Sequence, residues 1–234
     1  MNSVPTCIVL AGGLGTRLGS VLGSLPKCLA PVCGHTFLDL QLEALSMAEV
    51  CRFVLSLGHA AEQVLAHLPK LRQFYDVDVV IERELLGTGG AMLYAMHMSG
   101  VDECMAINGD TFLDGEFSPM LVQLNRAGGE KLRVATVEMP DRGRYGGLEV
   151  QGTRVSGFLE KGTNSPGPIN AGFYRISRAA FGARVPGSVF SFEQDVMPGL
   201  VEVGAASVVA IGGGFIDIGV PEDYRRFCAR YADK

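Results

Sequence analysis

No stretch of this sequence stays apolar for the ~20 residues that a membrane-spanning helix needs, although its mean hydropathy is positive, +0.24. Charge is sparse, at 19% of residues, and carries no basic excess: 20 Lys and Arg face 25 Asp and Glu, a net charge of −5. That balance is poor for a nucleic-acid binder, so neither nucleic acid nor membrane is expected as a partner. Arg17 is the first cationic side chain, which leaves no basic n-region for a secretory signal and makes the cytoplasm the expected compartment. The six cysteines (7, 28, 33, 51, 104, 228) contain no C-x-x-C pair and read as small core hydrophobes rather than disulfides. The four histidines (35, 59, 67, 97) show no metal-ligand spacing, so zinc is not expected. Acid is missing from the opening stretch as well. No Asp or Glu precedes Asp39, whereas Arg17 and Lys27 both do, leaving cations without counter-charge as a triphosphate site would.

What is present is a chain of 234 residues, 47% of them hydrophobic, which excludes a disordered or low-complexity protein. Its 31 glycines follow no G-X-Y period but cluster at 12–15, 87–90, 146–147 and 212–214, where backbone turns sharply or approaches a ligand. Strand-like runs at 6–10, 52–57, 77–81 and 103–107 alternate with helical spacing at Leu38, Leu42 and Leu45, at 61–68 and at 89–98, the last with Thr88 as its expected N-cap. Such alternation predicts an α/β layer on a mostly parallel sheet. Beyond 131–137 the texture changes to short strands at 148–150, 155–160 and 169–176, then a last strand at 206–211 and a helix after Pro221. The expected organisation is one domain over 1–234, with a nucleotide-type part to about 137 and a smaller lobe from about 138.

The loop after the first strand is A-G-G-L-G-T-R-L, residues 11–18. In open α/β sheets the ligand crevice lies at the carboxyl ends of the strands, where this loop falls. A Walker A loop is absent, and the third glycine of G-x-G-x-x-G would fall on Leu18. A glycine-rich tight turn without a ligand would explain the glycines but not Arg17 or Pro26-Lys27.

A-G-G-L-G-T-R-L followed by P-K-C-L-A-P-V (26–32) resembles the paired signature of the sugar-phosphate nucleotidylyltransferases, or nucleotide-sugar pyrophosphorylases. Further family landmarks follow in order: L-G-T-G-G-A at 86–91, N-G-D at 108–110, E-K-G at 160–162, N-A-G-F-Y at 170–174 and F-I-D-I-G at 215–219. F-S-F-E (190–193) and F-I-D-I-G-V-P-E-D-Y (215–224) are most similar to the guanylyltransferases acting on D-glycero-D-manno-heptose 1-phosphate. The fold implied is Rossmann-like: three layers around a mixed, mostly parallel sheet, with a smaller sugar-binding lobe. The C-terminal β-helix of longer relatives is missing, so a minimal catalytic unit is expected, and the resemblance leaves a homo-oligomer open.

The reaction implied is attack of a sugar 1-phosphate oxygen on the α-phosphorus of an NTP, expelling pyrophosphate. The nucleophile is already largely ionised near neutral pH, its second pKa being ~6. Positioning and charge neutralisation therefore matter more than acid–base chemistry. Arg17 is the candidate for the leaving phosphates; by resemblance Lys27 reaches the α-phosphate and Lys161 holds the sugar phosphate. Leu10, Ala11, Gly12, Gly13, Gly15 and Thr16 of the loop, with Gly87 and Thr88, are the implied nucleotide contacts. Gly146, Glu160 and Asn170 are the implied sugar contacts. Asp110, at a strand's carboxyl edge, and Asp217, in an apolar stretch where an unpaired charge is costly, could together hold one Mg²⁺, as the family's matching aspartates do. Turn and capping roles are the plainer readings of these two residues. Asp102, Asp114, Glu222 and Asp223 read as surface charges.

The base has its own argument. Uridylyl- and thymidylyl-transferring relatives place a Gln five residues before the glycine matching Gly87; here that position is Glu82. A carboxylate can accept two parallel hydrogen bonds, which matches guanine N1–H and N2–H₂ and opposes the carbonyls of uracil and thymine. GTP is therefore favoured, against the plainer reading of Glu82 as an exposed strand-end residue. The alternatives are a uridylyl- or thymidylyltransferase acting on a hexose 1-phosphate, or a non-catalytic nucleotide-sugar sensor. A metal-dependent glycosyltransferase would be expected to show D-x-D, and Asn108-Gly109-Asp110 lacks the first acid.

Overall fold

The computed structural model describes residues 4–145, 147–159, 162 and 165–232. Along the first half the elements are β1 (Thr6–Leu10), α1 (Gly19–Leu22), the hairpin strands β2 (Pro31–Val32) and β3 (His35–Thr36), α2 (Phe37–Met47), β4 (Arg52–Leu57), α3 (Ala61–Leu71), β5 (Asp76–Ile81), α4 (Gly87–Ser99) and β6 (Glu103–Asn108). Then come β7 (Thr111–Asp114), α5 (Ser118–Leu121), β8 (Leu132–Met139), β9 (Gly147–Gln151), β10 (Arg154–Leu159), β11 (Gly167–Ser177), α6 (Phe192–Asp195), α7 (Met197–Glu202), β12 (Ala206–Ala210), β13 (Gly214–Asp217) and α8 (Pro221–Ala232).

The central strands are apolar on both faces because both faces are covered. Cys7, Val9, Phe53, Leu55, Leu57, Met105 and Ile107 point into one core, while Ile8, Val54, Cys104 and Ala106 of the same strands point into the other. The nine-stranded sheet has the order β5-β4-β1-β6-β11-β8-β12-β10-β9. Parallel pairing joins β5, β4, β1 and β6, and again β12 to β8; β11 and β10 run against their neighbours. The sheet is mixed and mostly parallel, with helices on its faces, as expected.

Four expectations are corrected. Residues 206–211 do not form the last strand: β13 follows and pairs antiparallel with β7, from Gly214 against Asp114 to Asp217 against Thr111. A four-residue strand is too short to show a period of two. Thr88 does not cap α4. It lies inside the first turn, Leu86 takes the cap position without a side-chain bond, and the Gly89 and Gly90 amides donate to the Phe190 carbonyl at 3.1 and 3.2 Å. The orphan amides of the helix start are thus satisfied from a distant segment. Asp223 is not a surface charge but is 1% exposed, held by Arg144 at 2.6 Å and Arg226 at 3.2 Å. Of the cysteines only Cys7, Cys28 and Cys104 are buried; Cys33 and Cys51 are exposed, Cys228 is half-buried, and all six are free thiols.

A third core, smaller than the other two, matters for the site. Phe37 of α2, Phe112 of β7 and Phe227 of α8 pack with ring centroids 5.0–6.3 Å apart, joined by Ile216 and Ile218. It clamps β13 against β7, and the Ile218 amide donates to the Asp110 carbonyl at 2.9 Å. Residues 107 positions apart in sequence, Asp110 and Asp217, are brought together by this clamp.

Candidate functional site

At the carboxyl ends of β1 and β6 lies a cleft of about 520 Å³, lined by the 10–15 loop, Arg17, Lys27, Glu82, Gly87, Thr88, Asn108 and Asp110. The loop is built for backbone rather than side chains. A Cβ on Gly12 would collide with the Glu82 carboxylate, and one on Gly15, whose φ is +63°, would press on the Lys27 stem. Gly13, by contrast, has nothing within 4 Å of a Cβ position, so its backbone faces open space. Loop ends are fixed to the sheet by Ala11 N–H to Ser56 O at 2.9 Å and His59 N–H to Gly12 O at 3.2 Å.

Lys27 follows Pro26 in a short 3₁₀ turn and reaches across to Asp110, Nζ to Oδ2 at 2.8 Å. The two side chains are 16% and 24% exposed, dry enough for the pair to matter electrostatically. Asp217 stands close to Asp110. Burial pushes its carboxyl above the usual carboxylate range and the charge of Asp110 adds to that, while the Gly219 amide, Lys27 and Arg17 pull it back. The cations of the opening stretch therefore do have counter-charges, supplied by distant strands.

A second cleft, about 880 Å³, adjoins the first; Arg17 and Asn108 line both. Its walls include Thr111, Arg144, Tyr145, Asn170, Tyr174, Glu193 and Asp217. The Asn170 side chain is engaged within the protein: Nδ2 donates to the Tyr174 hydroxyl at 2.8 Å and Oδ1 accepts from the Gly172 amide at 2.9 Å. Gly146, Glu160 and Lys161 lie outside the described residues, as does the side chain of Thr16.

Glu82 is 8% exposed and not an open strand-end residue. Its Oε2 accepts from the Leu86 amide at 2.9 Å, and its other oxygen lies against Gly12. Burial pushes its carboxyl up, with the Leu86 amide working in the opposite direction.

Several site residues were not singled out from sequence. Gln41 is buried on α2 and its Nε2 donates to Asn108 O at 3.0 Å and Thr111 O at 2.5 Å, bracing the N-G-D turn. Glu193 was visible only as the last letter of F-S-F-E, and Arg144 and Tyr145 carried no spacing signal. Among the described residues no group of three or more His, Cys, Asp and Glu gathers as a metal cage, and no helix is long and apolar enough to cross a membrane.

Residues 6–234 match the family model described as nucleotidyl transferase. The chain is 33% identical over 219 residues to the D-glycero-alpha-D-manno-heptose 1-phosphate guanylyltransferase of Aneurinibacillus thermoaerophilus, covering 94% of this chain and 95% of that one. It is also 33% identical to the enzyme of the same name from Campylobacter jejuni, over 94% and 97% of the two chains. Crystal structures of HddC from Yersinia pseudotuberculosis, one of them complexed with GMP-PN, superpose with TM-scores of 0.85 and 0.84 at 34% identity, covering 97% of this chain and 99% of theirs. The glycine loop, the Lys27–Asp110 pair and the two adjoining clefts thus sit in a chain matched along nearly its whole length, and the protein belongs to the nucleotidyl transferase family.

Proposed function

We propose that this protein transfers GMP from GTP to a sugar 1-phosphate of the D-glycero-D-manno-heptose class, releasing pyrophosphate and forming an NDP-sugar. The observation that carries this reading is the placement of the Lys27–Asp110 pair in the first cleft beside Arg17, which lines both clefts, in a chain similar to two heptose 1-phosphate guanylyltransferases. The first cleft takes the nucleotide. Leu10, Ala11, Gly12, Gly13, Gly15 and Thr16 offer backbone to the triphosphate, Arg17 holds the leaving phosphates, and Lys27 neutralises charge at the α-phosphate. The second cleft takes the sugar phosphate; Gly146, Glu160 and Asn170 are the contacts proposed for the ring and Lys161 the one proposed for the phosphate. In this division residues to about 137 serve the nucleotide and those from about 138 the sugar.

Asp110 and Asp217 suit a hard divalent cation, Mg²⁺ in the simplest case. Two neighbouring carboxylates, one pushed up by burial and by the other's charge, form an oxygen-only donor pair whose repulsion a cation would relieve. Such an ion, when bound, neutralises phosphate charge and aligns the two substrates.

Glu82 selects the base: its carboxylate, one oxygen braced by Leu86, keeps free lone pairs for guanine N1–H and N2–H₂. The test is pyrophosphate release from four NTPs against several sugar 1-phosphates in Mg²⁺. GTP with heptose 1-phosphate should give the highest kcat/KM, and Glu82→Gln should narrow the gap to UTP by about tenfold, one unpaired buried polar group costing ~1–3 kcal/mol. Equal kcat/KM for GTP and UTP in the unmodified protein would remove the guanine reading.

A further inference from the structure

A hydrogen-bonded chain of side chains crosses the wall between the two clefts. Thr88 lines the nucleotide cleft, yet its hydroxyl donates to Glu193 Oε2 at 2.7 Å and accepts from the Phe192 amide at 3.0 Å. A hydroxyl has one proton, and here Glu193 holds it, so Thr88 has none left to donate to a nucleotide phosphate. Glu193 lines the other cleft. Its carboxylate also takes the Ser191 hydroxyl at 3.3 Å. On its far side lies Tyr174, a fully buried phenol whose oxygen accepts from Asn170 at 2.8 Å. Burial first, and the charge of Glu193 second, push that phenol above its ordinary range, so it stays protonated.

The glycines of 87–90 explain how this wall is assembled. A Cβ on Gly87 would come within 2.6 Å of Phe190 O, and Cβ atoms on Gly89 and Gly90 would collide with the Phe190 ring and Ser188 O. The segment 188–192 can therefore lie flat on the start of α4, which delivers Glu193 to the sugar side of Thr88. The glycine cluster serves docking between the two halves.

A carboxylate has about four lone-pair sites. Two neutral donors, Thr88 and Ser191, hold Glu193 in place, and among the described residues no Lys or Arg forms an ion pair with it. What remains is an oriented acceptor on the wall of a cleft, matched to a neutral donor such as a ring hydroxyl. We propose that Glu193 reads a hydroxyl of the sugar 1-phosphate, and that Thr88, from the nucleotide side of the wall, is its positioning residue. The inference rests on the sugar 1-phosphate reading above and adds a specificity-determining residue to it.

The test separates the two substrates. In Thr88→Val the nearly isosteric side chain loses its hydroxyl; the KM for heptose 1-phosphate should rise about tenfold while that for GTP stays within about twofold, and Thr88→Ser should restore both. Glu193→Gln should raise the same KM by at least about tenfold, since an NH₂ then faces donors. A Thr88→Val enzyme impaired for GTP alone would overturn the positioning role, and a Glu193→Gln enzyme with unchanged sugar KM would overturn the reading role. Calorimetric titration of heptose 1-phosphate into the unmodified protein and Glu193→Gln gives an answer without turnover. An affinity about tenfold weaker in the variant supports the proposal; equal affinities, or no binding by either protein, overturn it. Absence of pyrophosphate release by the unmodified protein would instead sink the parent reading, whatever the titration shows about Glu193.

Discussion

Lys27 has two electrostatic duties, and they predict its substitution. It faces Asp110 at 2.8 Å with both side chains mostly shielded from solvent, and it pulls down the carboxyl of Asp217 that burial and Asp110 push up. Lys27→Ala removes the cation proposed for the α-phosphate and leaves two acids side by side. We expect kcat to fall by ~10²-fold or more, as when a transition-state electrostatic contact is lost. Steady-state pyrophosphate release, on protein shown by circular dichroism to be folded, checks this; full activity would remove the role. At this scale Lys27, Asp110 and Asp217 stand out as candidates because they fall in short motifs that resemble those of a known family. The sequence was silent on their mutual pairing, which depends on β13 docking beside β7. It also misread Asp223, because a charge neutralised by Arg144 from a loop 79 positions earlier looks like any other acid in a helix's first turn.

Element boundaries follow from local chemistry where the partners are local. α2 opens with a capping box, Asp39 N–H to Thr36 Oγ1 at 3.1 Å and Thr36 N–H to Asp39 Oδ2 at 2.8 Å. Asp39 also holds His67 and Lys70 of α3 at 2.8 and 2.9 Å. Burial would raise its carboxyl, but the Thr36 amide, Lys70 and His67 together hold it down at about 2. A folded-state value below the unfolded one of 3.8 stabilises the protein above about pH 4 and is lost as the pH falls towards 2. Asp39→Asn should therefore cost about 1–2 kcal/mol at neutral pH, with the difference shrinking below pH 4 and mostly gone at pH 2. Urea midpoints of the two proteins across that range decide it. α4 shows the opposite case. Its start carries no side-chain cap because the Phe190 carbonyl serves, and a reader of 86–91 alone has no access to residue 190. Thr88 looked like a cap because Thr before an apolar run usually is one.

The whole molecule joins two clefts along one mixed sheet, and ligand binding should register as stability. A nucleotide that binds only the folded state at a hundred times its Kd adds ~2.7 kcal/mol, which for a domain of this size raises Tm by ~5–10 °C. Scanning calorimetry with GTP and UTP at equal concentrations should show the larger shift for GTP; equal shifts would argue against base reading by Glu82. Composition and periodicity by themselves determined the α/β class, the parallel strands β1, β4, β5 and β6 and the helices α2, α3 and α8, because burial on both faces and period-3.6 spacing are local signals. Resemblance to the short motifs of a known family marked the glycine loop, Lys27 and the two aspartates as candidates, and the acid-free opening stretch marked Arg17 and Lys27. Only the tertiary structure decided that β13 pairs with β7, that the opening cations meet acids from β13 and the turn after β6, and that 188–193 caps α4 and hands Glu193 to the second cleft. Each of those is a contact between segments some 80 to 200 residues apart, held by shape and by one or two hydrogen bonds. Such contacts leave no period and no local composition for a linear reading to detect.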